Sequence, residues 1–244
     1  MATMTGRSGT VVAVVVLAMA GVGFASVRLV TDGGGSGRAG CEGYVALTFD
    51  DGPSAATHDY LDALDEHRIR ATFFVSGAEV ERRPEEARRI AADAHELANH
   101  AYDHPFLDDL SEDLMRRNLQ GASQIIEETT GQVPAWFRPP YGRTDPAIRQ
   151  AAEDYGMVEV LWTVDTLDWR DGITAEGVAE RAAEARDGDI LLLHDDEGLA
   201  TYDALPLIAA WMDAHDLCAG RIVADDDGID DWAGDRIPAR AGPW

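Results

Sequence analysis

Two adjacent carboxylates, Asp50 and Asp51, follow the hydrophobic segment Tyr44 to Phe49 and precede the pair Gly52-Pro53. Neighbouring carboxylates repel each other when they are buried, so a cation must compensate them unless water does. Two solvated aspartates in a turn are the alternative in so acidic a chain. Taken alone, this motif supports both interpretations equally.

Two histidines, His100 and His104, lie four positions apart in the segment Asn99 to Pro105. One helical turn or a tight loop would bring both imidazoles to the same point. This spacing is common by chance, but two histidines and one aspartate form a three-ligand metal set that leaves positions open for water and substrate. The remaining histidines have no such partner in the sequence and are interpreted as structural or surface residues: His58, His67, His95 and His215.

A third candidate is the segment Arg138-Pro139-Pro140-Tyr141-Gly142. The two prolines stiffen the backbone, and a rigid turn can present a fixed backbone N–H to an oxyanion. Arg138 is the type of residue that pairs with a carboxylate and holds it ionised. The alternative is a structural turn with a surface arginine.

The fourth and fifth candidates are the segment Asp165 to Trp169 and the end of the apolar run Leu191 to His194. A histidine at a strand end is a candidate proton donor, and a nearby carboxylate would raise its pKa. A buried core histidine is the alternative for His194. Trp169 and a leucine could enclose a small apolar pocket, although Trp169 taken alone is better explained as a core residue.

These residues require elements that bring them together, and short β-rich segments do alternate with amphipathic segments along the chain. The predicted strands are Tyr44 to Phe49, Ala71 to Val75, Glu96 to Asn99, Trp136 to Arg138, Glu159 to Trp162, Ile190 to His194 and Leu217 to Val223. The predicted helices are Ala56 to Glu66, Pro84 to Ala94, Ser111 to Thr129, Asp145 to Asp154, Ala175 to Arg186 and Leu205 to His215. This alternation predicts an α/β barrel with a parallel sheet, whose strands carry the candidate residues at their carboxyl ends.

The amino-terminal residues 1–30 contain an uncharged run, Thr10 to Val27, between Arg7 and Arg28. Such a run is an export signal, and cleavage after Ala25 or retention as a membrane anchor are equally compatible with its length. Residues 31–40 are a Gly/Ser linker, residues 41–224 the folded domain, and residues 225–244 an acidic tail that we expect to be loosely ordered.

The chain of 244 residues has a formal net charge of -25 and a sequence pI near 4.4. Nucleic acid and anionic lipid surfaces require basic side chains, so both are excluded as partners. We expect a membrane contact only through an uncleaved amino-terminal segment, and a monomer. The two cysteines, Cys41 and Cys218, predict a disulfide in an exported chain. A lipidated Cys41 is rejected because Arg38 and Ala39 make a poor lipoprotein site.

The ordered motifs TFDDGP, NHxxxHP, RPPYG, DxxDW and LxLHD resemble those of the NodB-homology polysaccharide deacetylases, or carbohydrate esterase family four. The resemblance covers Gly43 to Val223. It implies an irregular (β/α) barrel of seven or eight strands, in a family that hydrolyses acetyl groups on chitin, peptidoglycan or xylan. The cysteine segments are also similar to those of secreted actinobacterial acetylxylan esterases and chitooligosaccharide deacetylases, which supports the disulfide.

The resemblance also implies roles for single residues. Those implied to hold one divalent metal ion, zinc with cobalt as the alternative, are Asp51, His100 and His104. Those implied to act in the reaction are Asp50 as the base for a water at the metal, Arg138 as its orienting partner, the Tyr141 N–H at the oxyanion, and His194 as the acid tuned by Asp165. Those implied to contact the substrate are Trp169 and Leu192, which line the acetyl-methyl pocket, and Tyr141.

Ala101 departs from the family pattern, since the family has Ser or Thr after the first metal histidine. A lost hydrogen bond around a ligand typically weakens metal binding about ten- to a hundredfold, so we expect a weaker site. Tyr102, Trp136, Trp169 and Tyr202 are candidates for sugar stacking, or core residues. The motifs predict an extracytoplasmic deacetylase, secreted or anchored, that acts on N- or O-acetyl groups. The alternative is a catalytically silent carbohydrate-binding module on the same fold.

Overall fold

The computed structural model describes residues 40–230 and 236–244, with the backbone alone for residues 225–230 and 236–238. The predicted export signal and nearly all of the predicted linker lie outside the described residues. Among the residues that are described, no helix is both long enough and apolar enough to span a membrane.

The described residues form nine strands: β1 (Gly43–Asp50), β2 (Thr72–Val75), β3 (Glu96–Asn99), β4 (Trp136–Phe137), β5 (Val158–Glu159), β6 (Val164–Asp165), β7 (Ile190–His194), β8 (Leu217–Asp230) and β9 (Arg236–Gly242). Seven of them form a parallel sheet in the order β5-β4-β3-β2-β1-β7-β6, and β8 pairs parallel with β1. The sheet curls into a half-barrel that is open between β5 and β6, its two end strands. This architecture confirms the predicted irregular α/β barrel.

Seven helices accompany the strands: α1 (Thr57–Glu66), α2 (Gly77–Arg82), α3 (Pro84–Ala92), α4 (Glu112–Thr130), α5 (Pro146–Asp154), α6 (Ala175–Ala182) and α7 (Thr201–Ala214). Six of them match predicted helices, whereas α2 was not predicted. Local chemistry fixes several ends: the Asp145 side chain accepts from two amides at the start of α5, and Gly131, with φ 77°, ends α4.

Alternation along β1 decides which side chains face the interior of the barrel. Val45, Leu47 and Phe49 pack in the cluster between the sheet and the helices, whereas Ala46 packs in the interior cluster with Phe74 and Leu192. Because side chains alternate between faces with period two, Thr48 and Asp50 face the interior as well. The interior is therefore apolar at one end and carries a carboxylate where β1 ends.

The carboxyl-terminal segment differs from the prediction of a loosely ordered tail, which is wrong for residues 236–242. β9 pairs antiparallel with β8, and Ala239 and Ala241 are fully buried in the interior cluster with Ile222. Small residues let β9 approach closely, and a Cβ at Gly220 would lie 2.6 Å from the Gly242 carbonyl oxygen. The folded domain therefore extends well beyond the predicted boundary at residue 224.

The predicted disulfide between Cys41 and Cys218 is present, with the two Cα atoms 5.7 Å apart. It joins the segment before β1 to β8, next to a hydrogen bond from the Glu42 N–H to the Asp216 carbonyl. The sequence separation is 177 residues, for which the chain-entropy argument gives on the order of 5 kcal/mol of stabilisation at most.

Candidate active site

Asp50 ends β1 inside the barrel, where its carboxyl is 3% exposed. The fully buried Arg138, which follows β4, donates from Nη1 to Asp50 Oδ1 at 2.6 Å and to Thr48 Oγ1 at 2.8 Å. A buried carboxylate is stable when a cation pairs with it and donates hydrogen bonds to it. Arg138 is therefore the charged, hydrogen-bonding partner of the buried Asp50 side chain.

Arg138 also closes the opening of the sheet. Its Nε donates to the Val160 carbonyl at 3.2 Å and its Nη2 to the Leu161 carbonyl at 2.9 Å. Both carbonyls lie in the segment between β5 and β6, which pair with other strands and not with each other. One guanidinium thus bridges the interior carboxylate and the backbone at the barrel opening.

Asp51 leaves the strand in a left-handed conformation, with φ 73°. Its Oδ1 lies 3.0 Å from His104 Nε2 and 3.3 Å from His100 Nε2, and one ligand atom from each of the three residues lies within 4.8 Å of the others. Burial raises the pKa of Asp51, but the two imidazoles lower it by more, so the carboxyl stays ionised. The structure therefore brings the three predicted ligands together.

The contacts of the His100 ring bear on whether this cluster could hold a metal ion. His100 Nδ1 lies 2.7 Å from the Arg138 carbonyl, which can only accept, so Nδ1 carries the proton. In the neutral form of this ring, the free Nε2 lies 3.3 Å from Asp51 Oδ1, a buried atom that has no hydrogen-bond partner. A divalent ion between the two atoms would satisfy both, so the residues fit such an ion.

The loop that carries the two histidines is held by Asn99, the last residue of β3. Its Nδ2 donates to the Leu119 carbonyl on α4 at 2.8 Å, and its Oδ1 accepts from the Ala101 N–H at 2.8 Å. Ala101 and His104 both have left-handed backbones, with φ 62° and 55°. Such conformations are strained for residues other than glycine, so the anchoring at Asn99 holds the histidines in place.

Tyr102 fixes the same loop from its other side. Its ring fills the space over Gly77 and Gly121, where an added Cβ would meet the ring. The Tyr102 hydroxyl donates to Glu81 at 2.8 Å. Tyr102 is thus a packing residue of this loop and not a platform for sugar.

Ala101 itself is fully buried in an apolar cluster with Leu107, Met115 and Leu119. Its methyl group packs where a serine or threonine would place a hydroxyl. His100 Nδ1 already has the Arg138 carbonyl as its partner. The weaker metal binding expected from Ala101 stays a prediction, and the structure adds that a hydroxyl here would be surrounded by apolar side chains.

His194 ends β7 beside β1, in register with Asp50. Its Nδ1 lies 2.8 Å from Asp168 Oδ1, and its Nε2 lies 3.9 Å from Asp51 Oδ2. Burial alone would lower the pKa of His194, but Asp168, with smaller contributions from Asp50 and Asp51, raises it to about 9. The imidazole is therefore protonated at neutral pH.

The predicted pairing of Asp165 with His194 is wrong. Asp165 Oδ1 accepts instead from the Leu167 N–H at 2.9 Å, within its own turn. Asp168 takes the predicted position: it is buried, and besides the imidazole it accepts from the His194 N–H at 2.7 Å and from the Thr201 hydroxyl at 2.5 Å. The DxxDW motif contains both aspartates, and spacing alone could not distinguish them.

Tyr141 lies over the cluster in a left-handed conformation, with φ 63°. Its ring is 54% exposed and its centroid lies 4.5 Å from that of His104. In the part of the chain that the structure describes, the Tyr141 N–H has no hydrogen-bond partner. The role that the resemblance implied for this N–H, as a donor to an oxyanion, stays a prediction. Phe106, which was not predicted, stacks on the Tyr141 ring with centroids 4.2 Å apart.

The remaining predicted contacts lie at different depths. Leu192 is buried in the interior cluster with Trp162, whereas Trp169, which follows Asp168, is 52% exposed. Leu192 therefore lies in the interior and Trp169 at the surface, and their contact with an acetyl group stays a prediction. Of the other aromatic candidates, Trp136 is buried and donates to Glu96 at 3.1 Å, and the exposed Tyr202 packs on Tyr60.

Comparison with known proteins agrees with this geometry. Residues 37–160 match the family described as polysaccharide deacetylase. A peptidoglycan-N-acetylglucosamine deacetylase from Bacillus cereus is 37% identical over 157 residues, which are 63% of this chain and 56% of the relative. The solved structure of a family 4 carbohydrate esterase from Streptomyces lividans in complex with acetate has a TM-score of 0.73 and 33% identity, covering 83% of this chain and 98% of that one.

The solved relatives also include a family 4 pseudoenzyme from Bacillus anthracis, with a TM-score of 0.67 and 30% identity over 72% of this chain and 63% of that one. The chain spans about half the length of the Bacillus cereus relative. Similarity to these proteins therefore leaves activity to be argued from the site of this chain.

Proposed function

Because the chain belongs to the polysaccharide deacetylase family, we propose that it hydrolyses acetyl groups on polysaccharide with the help of one divalent metal ion. The observation that carries this proposal is the convergence of Asp51, His100 and His104 beside a protonated histidine, His194. A three-ligand set with a base on one side and an acid on the other is suited to hydrolysis.

The ion would be held by Asp51, His100 and His104, with zinc the first choice and cobalt the alternative. When bound, it supplies positive charge that polarises the acetyl carbonyl and makes water a better nucleophile. The Arg138 carbonyl keeps the His100 ring in the tautomer that binds.

The reaction also needs a base, an acid and an oxyanion donor from the chain. Asp50, which pairs with Arg138, accepts the proton of the attacking water. His194, which Asp168 keeps protonated, donates its Nε2 proton to the leaving nitrogen or oxygen. The N–H of Tyr141 donates to the oxyanion that forms on the acetyl group.

We propose N-acetylglucosamine polymers, such as peptidoglycan or chitin oligomers, as the substrate, with acetylated xylan as the alternative. The name of the Bacillus cereus relative supports the first class. Both reactions pass through an oxyanion at a polarised carbonyl, so the same residues serve amide and ester. The export signal supports an extracytoplasmic location, secreted or anchored, and the enzyme is proposed to be a monomer.

A silent carbohydrate-binding module is the second candidate, and a pseudoenzyme among the solved relatives favours considering it. In this chain the proposed ligands, base and acid are all present and converge: Asp50, Asp51, His100, His104 and His194. A binding module would not need a buried arginine on the base or a carboxylate on the acid. The site therefore favours the enzyme.

The proposal is tested by measuring acetate release from a panel of acetylated glycans. We expect release from N-acetylglucosamine oligomers that stops on chelation and returns with zinc or cobalt. His104→Gln should lower the rate strongly, whereas the control His215→Gln, at the end of α7, should not. Full turnover by the metal-free protein would contradict the metal mechanism, and binding without any release would favour the silent module.

A further inference from the structure

Asp195 is a fully buried carboxyl group that the proposed reaction does not use. It follows His194 directly at the end of β7. Burying a carboxyl group is unfavourable unless the group has partners, so its contacts indicate why it is there. Two side-chain hydroxyls that donate to Asp195, those of Ser54 and Thr57, lie on the segment that follows the proposed metal ligand Asp51.

The first contact is a relay of hydrogen bonds at the start of α1. The Thr57 hydroxyl donates to Asp195 Oδ2 and accepts from the Ser54 N–H at 2.7 Å. The Ser54 hydroxyl donates to the Asp195 carbonyl at 2.5 Å. The side chain and the backbone of Asp195 therefore both hold the loop between β1 and α1.

The second contact is with Gly52, the residue after Asp51. A Cβ added at Gly52 would overlap Asp195 Oδ1 and lie 2.9 Å from Oδ2. Asp195 Oδ1 is buried and has no hydrogen-bond partner. The carboxyl group thus fits against the bare Cα of Gly52, which leaves the Asp51–Gly52 segment little room to move toward β7.

These contacts matter for the metal site because Asp51 has a left-handed backbone, with φ 73°. That conformation is strained and persists only where surrounding contacts fix it. We propose that Asp195 is a positioning residue: through Thr57, Ser54 and Gly52 it holds the loop after β1 so that the Asp51 carboxylate stays between the two histidines and opposite His194. This inference rests on the proposed metal site.

The test compares two buried threonines whose hydroxyls both donate to a carboxylate. Thr57 donates to Asp195, whereas Thr72, at the amino end of β2, donates to Glu96 at 3.1 Å. The variants Thr57→Val and Thr72→Val make the same chemical change, one at the start of α1 and the other at the amino end of β2. Zinc affinity, measured by competition with a chromophoric chelator, is followed together with the free energy of unfolding of the metal-free protein in urea.

We expect Thr57→Val and Asp195→Ala to weaken zinc binding about ten- to a hundredfold, as changes around metal ligands typically do. Thr72→Val should lower the free energy of unfolding but change zinc affinity by less than about twofold. Thr57→Ser, which keeps the hydroxyl, should retain the affinity of the unaltered protein.

Unchanged zinc affinity in Thr57→Val would overturn the inference, even if Asp195→Ala proved too unstable to study. Equal weakening by Thr57→Val and Thr72→Val would also overturn it, because the effect would then be one of general stability. If the unaltered protein binds no zinc, the proposed function fails, and this inference fails with it.

Discussion

At the scale of single residues, Asp168 and Asp165 form a natural pair of variants. Asp168→Asn removes the carboxylate that raises the pKa of His194 to about 9. Since the acid must be protonated, activity is lost as the pH rises through that pKa, and a lower pKa moves the loss to lower pH. We therefore expect the alkaline limb of kcat against pH to shift to lower pH in Asp168→Asn. The limb should stay in place in Asp165→Asn, and a shift of the same size there would contradict the pairing.

The opposite roles of Asp50 and His194 give a second prediction at this scale. Asp50→Asn cannot take a proton from water, and it should lower the rate on every substrate by about a hundred- to ten-thousandfold. His194→Ala removes protonation of the leaving group, which matters more for an amine than for a phenolate. We expect it to damage hydrolysis of N-acetylglucosamine oligomers far more than that of an aryl acetate. Equal losses on both substrates would instead assign His194 to positioning.

The candidate ligands Asp51, His100 and His104 could be predicted from the sequence because each stands in a short motif that can be recognised by itself. Asp168, Phe106 and Asp195 illustrate what could not be predicted. Each acts through a contact set by the fold: Asp168 reaches a histidine 26 positions away, and Asp195 reaches a threonine 138 positions away. A sequence motif of a few residues cannot indicate contacts between residues that are so far apart in the sequence.

At the scale of elements, periodicity predicted β3 and β7 with their observed bounds but displaced β5 and missed β6. The apolar run Glu159 to Trp162 was predicted as one strand, whereas the structure has β5 before and β6 after most of it. The carbonyls of Val160 and Leu161 bond to the Arg138 side chain and not to a neighbouring strand. Helix α2 was missed because six residues are too few to show a helical period.

The strand β9 gives a prediction at this scale. Removing residues 225–244 would expose Ile222 and the interior cluster that Ala239 and Ala241 cover. Burial of one large aliphatic side chain contributes about 1.5–3 kcal/mol, so we expect a loss of that order in the free energy of unfolding in urea. An unchanged midpoint would mean that the tail is dispensable, as the sequence had suggested.

For the whole molecule, stability should depend on pH through His95. This buried imidazole accepts from the Ala71 N–H at 3.1 Å, and burial lowers its pKa from 6.5 to about 4. Between these values the unfolded chain binds the proton and the folded chain does not, so acid favours unfolding. The expected loss from pH 6.5 to pH 4 is about 3 kcal/mol.

The variant His95→Gln keeps an acceptor for the Ala71 N–H but does not titrate. We expect a smaller fall in its free energy of unfolding between pH 6.5 and pH 4, measured in urea at several pH values. The same pH dependence in both proteins would show that other groups, such as the many carboxyls of this acidic chain, govern acid unfolding.

The double duty of Arg138 determines how a substrate complex of this protein should be captured. Such an experiment needs an inactive variant in which the residues around the candidate active site keep their positions. Truncating Arg138 would remove the partner of the base Asp50. It would also remove the hydrogen bonds to the Val160 and Leu161 carbonyls at the opening of the half-barrel, so the backbone there would be free to shift. Asp50→Asn keeps the Arg138 guanidinium and its hydrogen bonds to the two carbonyls, so soaking and trapping experiments should begin with that variant.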